Sequence, residues 1–343
     1  MRALITGGAG FIGSHLAERL LEQGHRVLAI DDLSTGSIDN LDGLKDHPAF
    51  SYRIDTIFNR PLLAELVDSA DVIFHLAAAV GVRRIVEFPV RTIETNVRGS
   101  ELVLELASKK SKRVVITSTS EVYGKATKVP FSETDDLVLG STYNSRWSYA
   151  ASKAVDEFLA LAYYRERKLP VTILRLFNTA GPRQTGHYGM VLPTFVRQAL
   201  AEQPLTVFGT GEQSRCFSHV HDIVTGMLAC VAQDRTAGEI FNLGDIEEIT
   251  IKALAERVIA LTGSRSSTKY VPYAEAYAEG FEDMERRVPD IRKAGEWFGY
   301  KPTRSLDDII RDVIKDKRQQ NGQSDGRATV PAPPFLNASS GKK

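Results

Sequence analysis

The sequence predicts an α/β protein whose first half is a doubly wound parallel sheet and whose second half adds a smaller, mixed α/β lobe. Three observations lead there. Short β-branched apolar runs alternate with helix-patterned segments as far as residue 178, and strands alternating with helices at that spacing form a parallel sheet covered on both faces. A glycine-rich turn joins the first strand to the first helix. Beyond Asn178 the alternation loosens into loops rich in glycine, proline and threonine.

Taken in order, strands are expected over residues 2–6, 26–30, 72–75, 113–117 and 171–175, with a further strand ending at Asp55. Helices are expected between them over 14–22, 62–67, 95–109 and 151–164. In the second half, helical periodicity returns over 191–201, 221–230, 251–261 and 306–315. This divides the chain into a first domain at 1–177, a second lobe at 178–316 and a tail at 317–343. The tail is expected to be disordered, because its Gln, Asn, Ser, Gly, Pro and Lys residues bury too little surface to offset the entropy of ordering.

Composition narrows the partners. With 343 residues and 43% hydrophobic content the chain can fill one large core or two unequal ones. Its 43 basic residues are matched by 43 acidic ones, so it lacks the electrostatic footprint of a nucleic-acid binder or a polybasic membrane binder. No run approaches the roughly twenty apolar residues that span a bilayer, the first residues lack the pattern of a signal peptide, and a cytoplasmic location is expected. Cys216 and Cys230 have no zinc-site spacing and are read as reduced packing residues. His187, His219 and His221 are not spaced as a metal set, and no metal is expected; His75, at a strand end, is read as structural.

Thr6-Gly7-Gly8-Ala9-Gly10-Phe11-Ile12-Gly13 lies where the first strand must hand over to the first helix. A dinucleotide requires such a turn: Gly7 permits the bend, Gly10 lets the backbone approach a pyrophosphate, Gly13 lets the helix lie close to the sheet, and the helix N-terminus offers free N–H groups. The second strand ends at Asp31, where a carboxylate accepts hydrogen bonds from the adenosine ribose and repels a 2′-phosphate, so NAD is favoured over NADP. Asp55, at the end of the third strand, is placed to touch the adenine.

Tyr149 and Lys153 are four residues apart at the start of a helix and share one face. A free tyrosine has a pKa of about 10, and a neighbouring ammonium lowers it, which makes Tyr149 a candidate general base. Thr119 follows the fifth strand at the carboxyl edge of the sheet, where its hydroxyl can share the substrate proton.

GGAGFIG at 7–13, HLAA at 75–78, TSTSEVYG at 117–124, SYAASK at 148–153, LFNTAGPRQ at 176–184 and GTGEQSRCFSHVHD at 209–222 together resemble the NAD-dependent nucleotide-sugar epimerase/dehydratase family of extended short-chain dehydrogenases. The resemblance spans nearly everything before the tail and implies a Rossmann-type first domain. It implies NAD held by Gly7, Gly10, Phe11, Ile12, Gly13, Asp31, Tyr149 and Lys153, with Leu76, Ala77 and Asn96 beside it. It also implies a UDP-sugar held by Asn178, Arg215 and Arg287, and two arginines suit a diphosphate because planar guanidiniums bind it well. Relatives commonly pair as homodimers through a four-helix bundle of the helices that follow Thr95 and Ala151. Leu102, Leu104, Leu106, Phe158, Leu159 and Leu161 are therefore candidates for either core or dimer.

Oxidation of the sugar C4 hydroxyl yields a ketone with three fates. A C6 carboxylate is then a β-keto acid and is lost as carbon dioxide. A C6 hydroxyl is eliminated as water, and otherwise the ketone turns over and is reduced on its other face. Thr119-Ser120-Glu121 resembles the UDP-glucuronate decarboxylases, including the decarboxylase domain of the bifunctional enzyme that makes aminoarabinose precursors. The stretches at 137–153 and 280–294 are similar to that domain and to UDP-apiose/xylose synthases, which implies catalytic roles for Thr119, Ser120, Glu121, Tyr149 and Lys153, with Arg287 near the substrate carboxylate. The loop at 176–190 reads equally well as that of a UDP-sugar 4-epimerase, so epimerisation stays open beside decarboxylation. Dehydration, and a non-catalytic NAD-sensing regulator, stand behind both; a regulator would have lost Tyr149 or Lys153.

Overall fold

Parallel pairing joins β1 (Arg2–Thr6), β2 (Arg26–Asp31), β3 (Phe50–Ile54), β4 (Val72–His75), β5 (Arg113–Thr119), β6 (Val171–Leu176) and β7 (Ile240–Leu243) into one seven-stranded sheet of order β7-β6-β5-β4-β1-β2-β3. These relations come from a computed structural model that describes residues 1–81, 85, 88–186, 190–276, 282 and 284–324. His187 and the end of the expected tail lie outside the described residues.

The strands read as continuous apolar runs because both faces of the sheet are covered. Along β5, Val114 and Ile116 bury against Val103 and Leu104, while Val115 faces the opposite layer with Leu16, Leu20 and Met227. Each such side chain contributes about 1.5–3 kcal/mol by leaving water. One layer is α2 (Arg60–Ser69), α3 (Pro89–Ser108) and α4 (Ser148–Arg167); the other contains α1 (Phe11–Glu22). A separate core in the second lobe packs α5 (Val191–Leu200), α7 (Ile251–Thr262) and α8 (Leu306–Ser324) through Phe195, Leu254, Val258, Ile309 and Val313.

Three expectations change. The division at residue 178 is not a clean cut, because β7 pairs with β6 and α6 (Val220–Val231) packs on the same face as α1. The last helix runs to Ser324, past the boundary expected at 317; Lys, Arg and Gln favour helix, and extending a formed helix is far easier than starting one. Of the apolar residues that were candidates for core or dimer, Leu104 and Leu106 are core, whereas Phe158 is 71% exposed. Among the described residues no helix is long and apolar enough to cross a membrane.

Candidate active site

The order of strands reverses at β1 and β4, and the crevice outside their carboxyl ends is where open α/β sheets bind ligands. A cleft of about 1400 Å³ opens there. One end is walled by the glycine turn with Phe11, Ile12, Asp31, Asp55, Leu76 and Ala77. Toward the other lie Thr119, Ser120, Glu121, Tyr149, Asn178, Arg215 and Arg287.

The turn fits a dinucleotide. Gly7 has φ +76°, and a Cβ on Gly13 would stand 2.2 Å from the Gly7 carbonyl oxygen, so the tight approach of α1 to the turn requires glycine. Gly10 caps α1 without a side-chain bond, leaving the orphan N–H groups and the positive end of the helix for an anion. Asp31 braces the turn: its Oδ2 accepts the Ala9 N–H at 2.9 Å and its Oδ1 the Leu33 N–H at 2.8 Å. Burial raises its pKa, and these N–H groups oppose that rise. Asp55 accepts from the Thr56 N–H and from Asn59 Nδ2, each at 2.7 Å, which ties the entrance of α2 to the cleft wall.

Asn96 does not line the cleft. It is buried, its Oδ1 accepts the Ala79 N–H at 2.8 Å, and its Nδ2 donates to Ser152 Oγ at 3.0 Å. It therefore acts at one remove, by fixing Ala79, which does form part of the wall.

Tyr149, in the first turn of α4, is 7% exposed and its hydroxyl shares a hydrogen bond with the Thr119 side chain. Thr119 is itself the last residue of β5, two residues beyond the expected strand end, and its Oγ1 accepts the Glu121 N–H at 3.2 Å. The expected lowering of the Tyr149 pKa is corrected: burial, then Glu121 and Asp156, push the phenol above its ordinary value, while the bond to Thr119 and the charge of Arg146 oppose them. Lys153 is 2% exposed and off the cleft wall, with its Nζ 2.7 Å from Asp156 Oδ2.

Glu121 is the electrostatic centre. Arg146 Nη1 donates to its Oε2, and Arg287 Nη1 donates to its Oε1 at 3.3 Å. Burial alone would raise the Glu121 pKa, but Arg146, Arg287 and Arg215 hold it down at about 2. Arg287 rides on a segment anchored on both sides: the Val288 carbonyl accepts the Phe131 N–H at 2.8 Å, and the Glu285 carbonyl accepts the Ser214 N–H at 2.9 Å. Arg215 is 7% exposed and donates to the Ser214 carbonyl at 2.7 Å. One carboxylate faces three guanidiniums, and Asn178 adds a buried Nδ2 with no hydrogen-bond partner among the described residues. Buried donors of this kind suit an oxygen-rich anion.

Sequence reasoning assigned no role to Arg146 or Asp156. Each lies three residues from a named residue, Arg146 before Tyr149 and Asp156 after Lys153, and the helical i,i+3 relation is the signal that could have found them. His75 sits between Thr6 Oγ1 at 2.7 Å and Ser100 Oγ at 3.2 Å. Among the described residues no cluster suited to a metal ion occurs.

A family profile described as GDP-mannose 4,6 dehydratase matches residues 4–313. A UDP-N-acetyl-alpha-D-glucosaminuronate decarboxylase of Bacillus cytotoxicus is 42% identical over 319 residues, covering 92% of this chain and 97% of that protein. A UDP-glucuronic acid decarboxylase of Arabidopsis thaliana is 36% identical over 323 residues, covering 93% of this chain and 70% of that protein. Among solved structures, the UDP-glucuronic acid 4-epimerase of Bacillus cereus, in complex with UDP-glucuronic acid and NAD, superposes with a TM-score of 0.84 at 28% identity, covering 93% of this chain and all of that one.

Proposed function

Because the chain belongs to the NAD-dependent nucleotide-sugar epimerase/dehydratase family, we propose that it decarboxylates a UDP-linked hexuronate after oxidising the sugar at C4. The glycine turn with Asp31 would hold NAD, which when bound would supply the acceptor and later the donor of the C4 hydride. Tyr149 takes the C4 hydroxyl proton, and Thr119, hydrogen-bonded to Tyr149, positions that hydroxyl. The ketone makes the C6 carboxylate a β-keto acid, whose C5–C6 bond breaks to release carbon dioxide and leave the electron pair at C5, which then takes a proton. Arg287 holds the carboxylate before it leaves, while Arg215 and Asn178 hold the diphosphate and sugar.

The observation that carries this reading is the convergence of Arg146, Arg287 and Arg215 on Glu121 at one end of the cleft. A uronate brings a carboxylate to these guanidiniums at the sugar end of the cleft, whereas a neutral hexose brings none. The second reading is 4-epimerisation of the same uronate, favoured by the loop at 176–190 and by the likeness to the Bacillus cereus epimerase. The two readings separate on incubation of the NAD-supplied protein with UDP-glucuronate, its 2-acetamido counterpart and UDP-glucose, with products followed by mass and proton NMR. Loss of the mass of carbon dioxide from a uronate supports decarboxylation. An unchanged mass with an inverted C4 proton supports epimerisation and refutes the first reading.

A homodimer belongs to the same proposal. Val90 and Ile93 on α3 and Val155 and Phe158 on α4 are exposed apolar residues on two helices packed against each other. The same stripe on a second copy would complete a four-helix bundle. A monomeric mass by light scattering at micromolar concentration would refute it.

A further inference from the structure

The sequence pairs Lys153 with Tyr149; the geometry pairs it with Asp156. Lys153 Nζ and Asp156 Oδ2 are 2.7 Å apart, one helical turn apart on α4, with side chains 3% and 0% exposed. In so dry a place an ammonium and a carboxylate at contact distance act outward as a dipole, whose influence on a neighbour falls away faster than that of a single charge. His75, on β4, faces Lys153 and is held neutral, its pKa lowered to about 3 by burial and by Lys153. Glu157 faces Asp156 from the same helix and is itself paired with Arg175 of β6 at 2.7 Å, and Glu121 faces Tyr149 from beyond β5, where the charge of Arg146 opposes it. Asp156 itself stands above the ordinary carboxylate range through burial, with Lys153 working against that rise.

We infer that Asp156 is a positioning residue for the C4 oxidation: it fixes the Lys153 ammonium and cancels its charge behind Tyr149. It acts through Lys153 and does not line the cleft. The inference rests on Tyr149 being the base of the proposed reaction. In that step the C4 O–H bond breaks toward the Tyr149 oxygen, the C4–H pair leaves as hydride to NAD, and a C4 carbonyl forms. The rate below the ascending pH limb therefore follows the fraction of Tyr149 that is ionised. Asp156→Asn keeps an acceptor of the same shape for Lys153 and removes only the cancelling charge.

The test is single-turnover reduction of bound NAD on mixing with UDP-glucuronate, followed across pH in the wild-type holoenzyme, Asp156→Asn and Asp156→Glu. Alongside it, tyrosinate absorbance is titrated without sugar, with Tyr149→Phe as the reference that identifies the Tyr149 transition. The asparagine variant is expected to move both the limb and the Tyr149 transition down by about one pH unit, a roughly tenfold gain in hydride transfer below the limb. The glutamate variant, which keeps the charge, is expected to retain the wild-type limb. If Asp156→Asn does not fold, Asp156→Ser reads the same shift. An unmoved limb and an unmoved transition in a folded, NAD-bound variant overturn the inference. Hydride transfer precedes the fate of the ketone, so NAD reduction without carbon dioxide release overturns decarboxylation and leaves Asp156 to be judged on the limb. Where no NAD is reduced, the tyrosinate titration alone decides.

Discussion

Replacing Arg287 with methionine keeps much of the side chain's length and removes a charge that is 8% exposed and bonded to Glu121 at 3.3 Å. Glu121 keeps Arg146 as its partner on the other oxygen, so the main loss is at the position where a uronate carboxylate would sit. At about 4 Å and an effective dielectric of about 20, a guanidinium and a carboxylate attract by about 4 kcal/mol, and desolvation returns part of that. Truncating one partner of a buried, hydrogen-bonded charge pair costs about 2–5 kcal/mol. At about 1.4 kcal/mol per decade, the Kd for UDP-glucuronate should rise by roughly thirtyfold to several thousandfold. UDP-glucose has no carboxylate, and its Kd should change by less than about threefold. Both are measured by titration calorimetry on NAD-loaded protein carrying Tyr149→Phe, which blocks turnover. Equal weakening of the two sugars would place Arg287 on the shared diphosphate and refute its assignment to the carboxylate.

Gly13→Ala places a Cβ 2.2 Å from the Gly7 carbonyl oxygen; the turn must open, and NAD affinity should fall at least about tenfold, with an unchanged calorimetric Kd contradicting the packing argument. Arg146→Met breaks a buried pair and should cost about 3–5 kcal/mol of stability, part of which Glu121→Leu in the same chain restores; a urea midpoint close to wild type for the single variant would refute this. His15 and His75 have pKa values lowered to about 3 and His219 to about 4, each mainly by burial. Their folded values lie below the unfolded value of about 6.5, so their contribution is complete above that pH and is lost as pH falls toward the folded values. Stability should therefore decline by up to roughly 4 kcal/mol per pH unit once all three sites take protons on unfolding. A urea midpoint that holds steady from about pH 7 to about pH 5 would show that these rings are not buried neutral.

The parts legible in the sequence were those fixed by local chemistry. The glycine turn and Asp31 follow from spacing within one strand–helix–strand unit and the Tyr149–Lys153 pair from spacing within one helix, and the turn, Asp31 and Tyr149 line one cleft. Glu121 and Arg287 come together across 166 residues, which no local periodicity encodes; the resemblance to a family named each of them separately but not their contact. The spacing put Lys153 on the same helix face as Tyr149, but a lysine stem can turn toward any acid within a helical turn, and the i,i+3 acid Asp156 is the one it meets. Membership of β7 in the large sheet depends on tertiary pairing with β6, so a reading by composition assigned it to the wrong lobe.

That strand has a consequence for protein engineering. Ile240, Phe241, Asn242 and Leu243 pair with Ile173, Leu174, Arg175 and Leu176, although more than sixty residues of mainly second-lobe chain intervene. A fragment ending at residue 178 would expose β6 as a raw apolar edge, a template for intermolecular pairing. It would also strip α6 from the face that covers Val115 and Leu174. Such a fragment should precipitate rather than fold. A chimera that exchanges the second half between relatives must carry β7 and α6 of the recipient with its first half, so the workable joints lie on either side of residues 220–243.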